Sequence, residues 1–480
     1  MTAKAKIRGM TPSSAATHTG LWNRSSLWIR LAWFEPFWVG LLAPSLLFPD
    51  RFWTIAWHPY LALALFLFWP VRRLAYGRFS VRTPVDWSVG LLLLWIPVSL
   101  WISVDRAQSW EAAGYLLVGV ALFFALINWP PARHRPQLIA WLVGAIGAGL
   151  VLMGGPLIRN VTRPMQFLGM DPTHSSLSAQ VGETINPNIW AGGLLMILPL
   201  YLALAITPGW SRRGWMRLLP GLLSALGVGA LLLAESRGAY LSLAVAVAVL
   251  ILLRWPRSLY LILALATGIL IWLAMGGVQP LLTYVMTDPN LYGWSGRPEI
   301  WLRAYSAIQD FPWTGVGMGL YARAIPVLYP YFSMDYSIFT RDYNIPHAHN
   351  LFLQIGVDMG APGVVAYLAL LMGAFIMLVR PLRRPHQRRQ RAQKQLSEEM
   401  RDGREPAAVT HSSSQRRDAL HWALAAGVTA GLIAMIVHGL VDAVAWGTKL
   451  AFIPWLLYAQ AVTIRLRPRR RRRRRRADES

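Results

Sequence analysis

Apolar runs of about twenty residues recur along most of the chain, separated by short polar or basic stretches. About 20 residues cross a bilayer as an α-helix, and a backbone in lipid must satisfy its own hydrogen bonds, which favours helices over open sheets. The period-two alternation of a membrane barrel is absent. The pattern predicts an all-α integral membrane fold with about 12 transmembrane helices. They lie near 31–49, 52–70, 86–103, 112–129, 138–155, 188–207, 218–235, 238–253, 259–276, 360–379, 419–437 and 450–464. Two long polar stretches interrupt them, at about 156–188 and 277–350. The second is read as a large extracytoplasmic loop subdomain between spans 9 and 10. The stretch from Asn350 to Arg380 would measure roughly 46 Å as one helix, more than the roughly 30 Å hydrocarbon core. Gly360-Ala361-Pro362-Gly363 sits inside it and predicts a break, with a short helix over 350–359 lying at the outer surface and a spanning helix after it.

Charge orients these spans. With the amino terminus inside, 37 of the 47 Lys and Arg fall on the inner side, the positive-inside pattern. Both termini are then cytoplasmic. The net charge of +25 becomes a topological signal rather than a nucleic-acid signal, and no nucleic-acid partner is expected. The run Arg469–Arg476 suits contact with anionic membrane lipids. The 24 Trp fit belts at the two interfaces. The polar, basic first 30 residues lack the apolar core of a cleaved signal. The chain has no Cys, hence no disulfide, thiol nucleophile or thiolate metal site.

The organisation expected is a cytoplasmic segment 1–30, a bundle of spans 1–9 over 31–276, and an extracytoplasmic catalytic loop 277–350. An interfacial helix with span 10 follows over 351–379, then a disordered basic cytoplasmic loop 380–418, spans 11–12 over 419–464, and an Arg-rich tail 465–480.

Candidate chemistry gathers at the outer boundary. His349 is a general-base candidate whose ordinary pKa, about 6.5, suits neutral pH. Asn350 reads as the N-cap of the following helix, whose dipole would keep the imidazole neutral. The alternative is a capping or interfacial histidine without chemistry. His347 could orient substrate or be solvated. The His-x-His pair also invites a metal, but without a partner carboxylate motif none is expected. Arg237, in Glu235-Ser236-Arg237-Gly238, joins a guanidinium to an outward helix N-terminus and suits an anion. It could equally pair with Glu235 or a lipid phosphate. Arg297 could clamp a diphosphate with Arg237, or bridge to Glu299 or Asp310. Arg159 and Arg163 are further anion-binding candidates. Asn188, in Asn186-Pro187-Asn188, stands where a helix cap is also expected. His438 and Asp442 flank the last external loop, as does Lys449. Gly315-Val316-Gly317-Met318-Gly319 lacks the Lys and Ser/Thr of a phosphate loop and reads as a turn.

Two spacings carry a resemblance. Arg237-x3-Leu241 and His349-Asn350-x9-Gly360-x2-Gly363 are similar, in spacing and order, to two elements of the O-antigen ligase and polymerase superfamily of bacterial membrane glycosyltransferases. Asn186-Pro187-Asn188, Gly296-Arg297-Pro298 to Trp301, Asp310-Phe311-Pro312 and Gly315-Val316-Gly317 also look like that family. The likeness covers roughly 180–370. It implies a GT-C-like fold, a polyprenyl-diphosphate-linked glycan as donor, a lipid or glycan acceptor and an inverting transfer without cofactor or metal. It implies His349 as the base and Arg237 and Arg297 as holders of the diphosphate. An O-antigen ligase-like activity in the cytoplasmic membrane, with an extracytoplasmic active site, is the expected function. A polymerase or a protein O-oligosaccharyltransferase on the same scaffold is the alternative. A transporter of lipid-linked glycan is the rival of another class, but it should place polar groups at the bilayer midplane, whereas these cluster at one boundary.

Overall fold

The structure is a computed structural model, and it describes residues 27–49, 51–157, 186–211, 213–234, 236–277, 297–330, 345–401 and 413–466. Among these residues regular structure is helical and no strand occurs. Helices α1 (Glu35–Leu47), α2 (His58–Leu65), α3 (Phe68–Tyr76), α4 (Asp86–Ile102), α5 (Arg106–Asn128) and α6 (Gln137–Leu157) form the first part. Then come α7 (Pro187–Ile206), α8 (Leu218–Leu233), α9 (Arg237–Arg254) and α10 (Ser258–Trp272). The rest are α11 (Arg297–Asp310), α12 (Tyr321–Leu328), α13 (Leu351–Arg401), α14 (Ser413–Gly439) and α15 (Ile453–Arg465).

Seven segments among the described residues are long and apolar enough to cross a membrane: Arg106–Asn128, Pro187–Ile206, Gly214–Leu233, Arg237–Arg254, Ser258–Gly276, Leu351–Arg383 and Gln415–Gly439. Each coincides with an expected span. Asp86–Ile102 and Gln137–Leu152 are shorter apolar helices, also at expected places. The expected span 52–70 is not one helix. It is divided into Ile55–Trp57, α2 and α3, with the break at Phe66 and Leu67, where Phe66 N–H bonds to Leu63 O and Leu67 N–H to Ala64 O in tighter turns. The expected spans at 31–49 and 450–464 contain helices of 13 residues, α1 and α15.

Local chemistry sets the ends. Asp105 caps α5 by accepting Gln108 N–H at 3.1 Å, and Asn186 caps α7 by accepting Asn188 N–H at 2.9 Å, with Pro187 at the first helical position. Gly77, at φ 70°, closes α3. The loop expected to be disordered over 380–418 is corrected in its first part, because α13 continues as helix through Arg401. Its Arg, Gln, Lys and Glu residues are unbranched at Cβ and lose little rotamer freedom in a helix. Residues 402–412 lie outside the described residues, as does the run 469–476.

Helices α5 and α7 are buried along most of their length, whereas α10 exposes its apolar surface throughout. Small residues decide how α14 meets α7. A Cβ on Gly427 would stand 2.5 Å from Leu200 Cα, and one on Gly431 2.6 Å from Met196 O. The two glycines are four apart on one face and let the backbones touch, as in close-packed membrane helices. At the start of the bundle Arg72 Nε lies 3.3 Å from Glu35 Oε2, both side chains being almost fully buried.

A second, smaller core stands beside this bundle. Ile300, Ala304, Ala307, Leu320, Tyr321 and Ile325 pack with Ile345, Ala348 and Val357. Arg303 fastens its interior by donating to Tyr329 O at 2.5 Å and Ile325 O at 3.3 Å, at the end of α12. The histidine loop is part of this core, so its geometry is fixed by α11, α12 and the start of α13.

Candidate active site

The site is assembled from three ends: the loop 345–350, the turn after α14, and the first residue of α11. Asn350 joins the first two. Its Oδ1 caps α13 by accepting Phe352 N–H at 3.0 Å and Leu353 N–H at 3.1 Å, while its Nδ2 donates to Leu440 O at 3.1 Å. A carboxamide offers both functions at once, which explains Asn rather than Asp here. Just before it, His349 has φ 46°, the one non-glycine residue among those described with a left-handed backbone. Three bonds hold it there. His349 N–H donates to His347 Nδ1 at 3.1 Å, Ala348 N–H to Gln354 Oε1 at 2.7 Å, and Trp301 Nε1–H to His349 O at 3.4 Å.

The bond from His349 N–H fixes a tautomer. His347 Nδ1 is an acceptor, so in the neutral ring the proton sits on Nε2. That Nε2 faces Asp442 Oδ1 across 3.5 Å. His349 Nδ1 faces the same oxygen across 3.8 Å, and the two rings are 4.2 Å apart, centre to centre. Asp442 is 3% exposed and also accepts Ala443 N–H at 2.7 Å. His438, buried one turn earlier, interacts electrostatically with Asp442.

Burial and charge set the protonation states. His349 is pushed down to about 4, first by burial, then by His347 and Arg297, with Asp442 opposing. Burial also holds His347 below the ordinary imidazole range, against Asp442. Burial pushes Asp442 up, yet His347, His438, His349 and the Ala443 amide together bring it below the usual carboxylate range. Arg297 is lowered by burial and supported by Asp442. At neutral pH the arrangement is a neutral imidazole beside a carboxylate, with a guanidinium in the same field.

His347, His349 and Asp442 also offer ligand atoms within 4.8 Å of one another. A metal on His347 Nε2 would require the proton on Nδ1, and Nδ1 is already accepting the His349 amide. The donor set therefore fits a protonated Nε2 turned towards Asp442 better than a metal ligand at that atom.

Arg297 opens α11 and acts on Asp442 and the histidines, whereas Asp310, one of the two carboxylates of the alternative salt-bridge reading, accepts Tyr329 O–H at 2.5 Å. Arg237 opens α9, with Ser236 in the N-cap position but making no side-chain cap. A Cβ on Gly238 would stand 2.8 Å from Val441 Cγ2, so α9 begins directly against the turn that carries Asp442. Glu235, Arg159 and Arg163 lie outside the described residues. Asn188 is the amide that Asn186 caps, the helix-end reading of that triplet. Lys449 is drawn away over the Phe48 ring at 5.0 Å.

The glycine elements interlock. Gly315, Gly317 and Gly319 all have positive φ, as a turn requires. A Cβ on Gly315 would stand 2.4 Å from Val357 O, and Val316 N–H donates to that oxygen at 2.7 Å. The predicted break in α13 falls at Gly360, where Ala361 N–H leaves the helix for Pro312 O at 2.7 Å.

Gln354, Asp358 and Trp446 were not singled out from sequence. A carboxylate inside an apolar run was the available signal for Asp358. Its Oδ1 accepts Gln354 Nε2–H at 2.9 Å and its Oδ2 accepts Trp446 Nε1–H at 2.8 Å.

We found no match to this chain among curated proteins. Residues 222–368 match the family model described as O-antigen ligase, and this match supports an assignment to the O-antigen ligase and polymerase superfamily.

Proposed function

We propose that this protein is an O-antigen ligase-like glycosyltransferase of the cytoplasmic membrane, with about twelve spans, a GT-C-like arrangement, cytoplasmic termini and an extracytoplasmic site. Its donor is a glycan on a polyprenyl diphosphate, its acceptor a hydroxyl of a lipid or glycan. The observation that carries this reading is the neutral His349 beside Asp442, with Arg297 in the same field and α9 packed at Gly238, the residue after Arg237, against the Asp442 turn.

In this reading Asp442 accepts His349 Nδ1–H once substrate tightens the 3.8 Å gap, leaving Nε2 as base. Nε2 takes the acceptor's hydroxyl proton as its oxygen attacks the anomeric carbon from the face opposite the diphosphate. The bond from that carbon to the diphosphate oxygen breaks, the configuration inverts, and polyprenyl diphosphate departs. Arg237 and Arg297 balance the charge that grows on the leaving group. Diphosphate is already a good leaving group, so positioning, a base and cations suffice without metal. Part of the isoprenoid tail has an apolar cleft of about 170 Å³ available between α6, α7 and α8, lined by Gly144, Gly147, Ile197, Leu198 and Leu223.

The test is transfer by purified protein from a lipid-linked glycan. Loss of transfer in His349→Ala with intact folding is expected, and near-normal transfer would remove the assignment. Chelator should leave the rate unchanged. In a deletion strain the ligase reading expects full-length unattached polymer, whereas single repeat units would indicate a polymerase.

A further inference from the structure

Asp358 has no exposed surface, and a buried carboxylate on an apolar helix needs partners. Gln354 and Gly319 N–H donate to Oδ1, at 2.9 and 3.2 Å, and Trp446 donates to Oδ2 at 2.8 Å. Its main-chain oxygen accepts Ser99 Oγ–H at 3.1 Å, and Ser99 Oγ in turn accepts Met318 N–H at 2.8 Å. Helix packing alone would be served by an apolar side chain. What the carboxylate adds is direction.

Two routes lead from it. Through Gln354 it reaches Ala348 N–H, bonded to Gln354 Oε1 at 2.7 Å, and Ala348 lies between the two histidines. Through Trp446 it reaches the loop that begins at Asp442. The two loops whose side chains face each other as His349 and Asp442 are thus fastened to one carboxylate, with Gln354 as the relay on one side. Gln354 has an acceptor and a donor, and both are used.

We propose that Asp358 and Gln354 are positioning residues that set His349 against Asp442. The proposal rests on the transferase reading, and it concerns residues that touch neither sugar nor diphosphate.

The experiment uses full-length protein in lipid nanodiscs with a lipid-linked glycan donor. Gln354→Met keeps volume and removes both bonds, and Asp358→Asn keeps shape and loses at least one. Either should lower kcat by about 10- to 100-fold, since small misplacements of a catalytic group cost that order. The KM for donor should stay within about twofold and the unfolding temperature close to that of the parent. The acid limb of the kcat profile should move, because the groups acting on His349 are His347 on its own loop, Asp442 in the turn after α14, which His438 also faces, and Arg297 on α11. In a His349→Ala background, Gln354→Met should cause no further loss. An unchanged kcat in Gln354→Met overturns the proposal, and so does an equal loss with and without His349. Near-full transfer by His349→Ala is a separate result, which overturns the base assignment and with it the relay's purpose. If Asp358→Asn does not fold, Gln354→Met alone decides.

Discussion

Gly360 presses its α-carbon against the main chain at Pro312, where any Cβ would stand 2.6 Å from the Pro312 carbonyl oxygen. The same residue has φ 64° and ψ −165°, a region almost reserved for glycine. The contact explains why α13 breaks at Gly360 rather than at Pro362, and why the Pro312–Gly319 turn is held in register with the histidine loop. Gly360→Ala should destabilise the protein by at least about 1–3 kcal/mol and abolish transfer. Thermal unfolding in detergent checks the first part, and an unfolding temperature equal to the parent's would refute the strain argument.

Protonation of His349 should govern both activity and stability on the acid side. Its folded pKa is about 4, below the ordinary value of about 6.5. The unfolded chain therefore binds more protons between those values, and stability falls as pH drops from about 6.5 towards 4. Above that window the contribution is fully present. The rate of transfer should be flat near neutrality and fall as the imidazole charges near pH 4. Thermal unfolding against pH should show a shallower acid slope in His349→Ala, and an identical slope would show that His349 is not the group responsible.

The two arginines should differ in kind. Arg297 lowers the His349 pKa, so Arg297→Ala should shift the acid limb of kcat to higher pH as well as weaken donor binding. Arg237→Ala should weaken donor binding by about 10- to 100-fold, the size of a lost charge-assisted phosphate contact, and leave the acid limb in place. Donor KM and pH profiles of both variants measure this. Equal profiles with unchanged KM would dissolve the diphosphate clamp.

Asn350 offers a sharper separation of roles. Asn350→Asp keeps the oxygen that caps α13 and loses the donor to Leu440 O. Asn350→Ala loses both. Aspartate should therefore retain most of the thermal stability, since losing a cap costs about 1 kcal/mol, yet transfer poorly because the Asp442 turn is no longer tied to the histidine loop. If both variants transfer as fast as the parent, that tie has no part in the reaction.

Much of this was readable along the chain. Apolar runs announced the helices, because burying or lipid-facing twenty consecutive residues is a local property of composition. Gly360, Asn350 and the glycines at 315–319 announced a break, a cap and a turn, because each acts on its own backbone. The division of 52–70 into short helices was not readable, since the run is as apolar as its neighbours. Helix through Arg401 was not legible in the charge pattern, because dense charge signals a solvated segment whether or not its backbone is helical.

What the tertiary structure alone decided is who meets whom. The match to the O-antigen ligase family ends at 368, yet the carboxylate beside both histidines is Asp442. It arrives there because Gly427 and Gly431 let α14 lie against α7, and Gly238 lets α9 close on the turn that follows. Asp358 gained its distant partners, Trp446 and Gly319, only through folding. Hydropathy and turn chemistry are written in adjacent residues, and so the sequence determined the helices, the break and the histidine element. Contacts between distant residues depend on how closely helices can approach, which is a property of packed surfaces and exists only once the chain has folded.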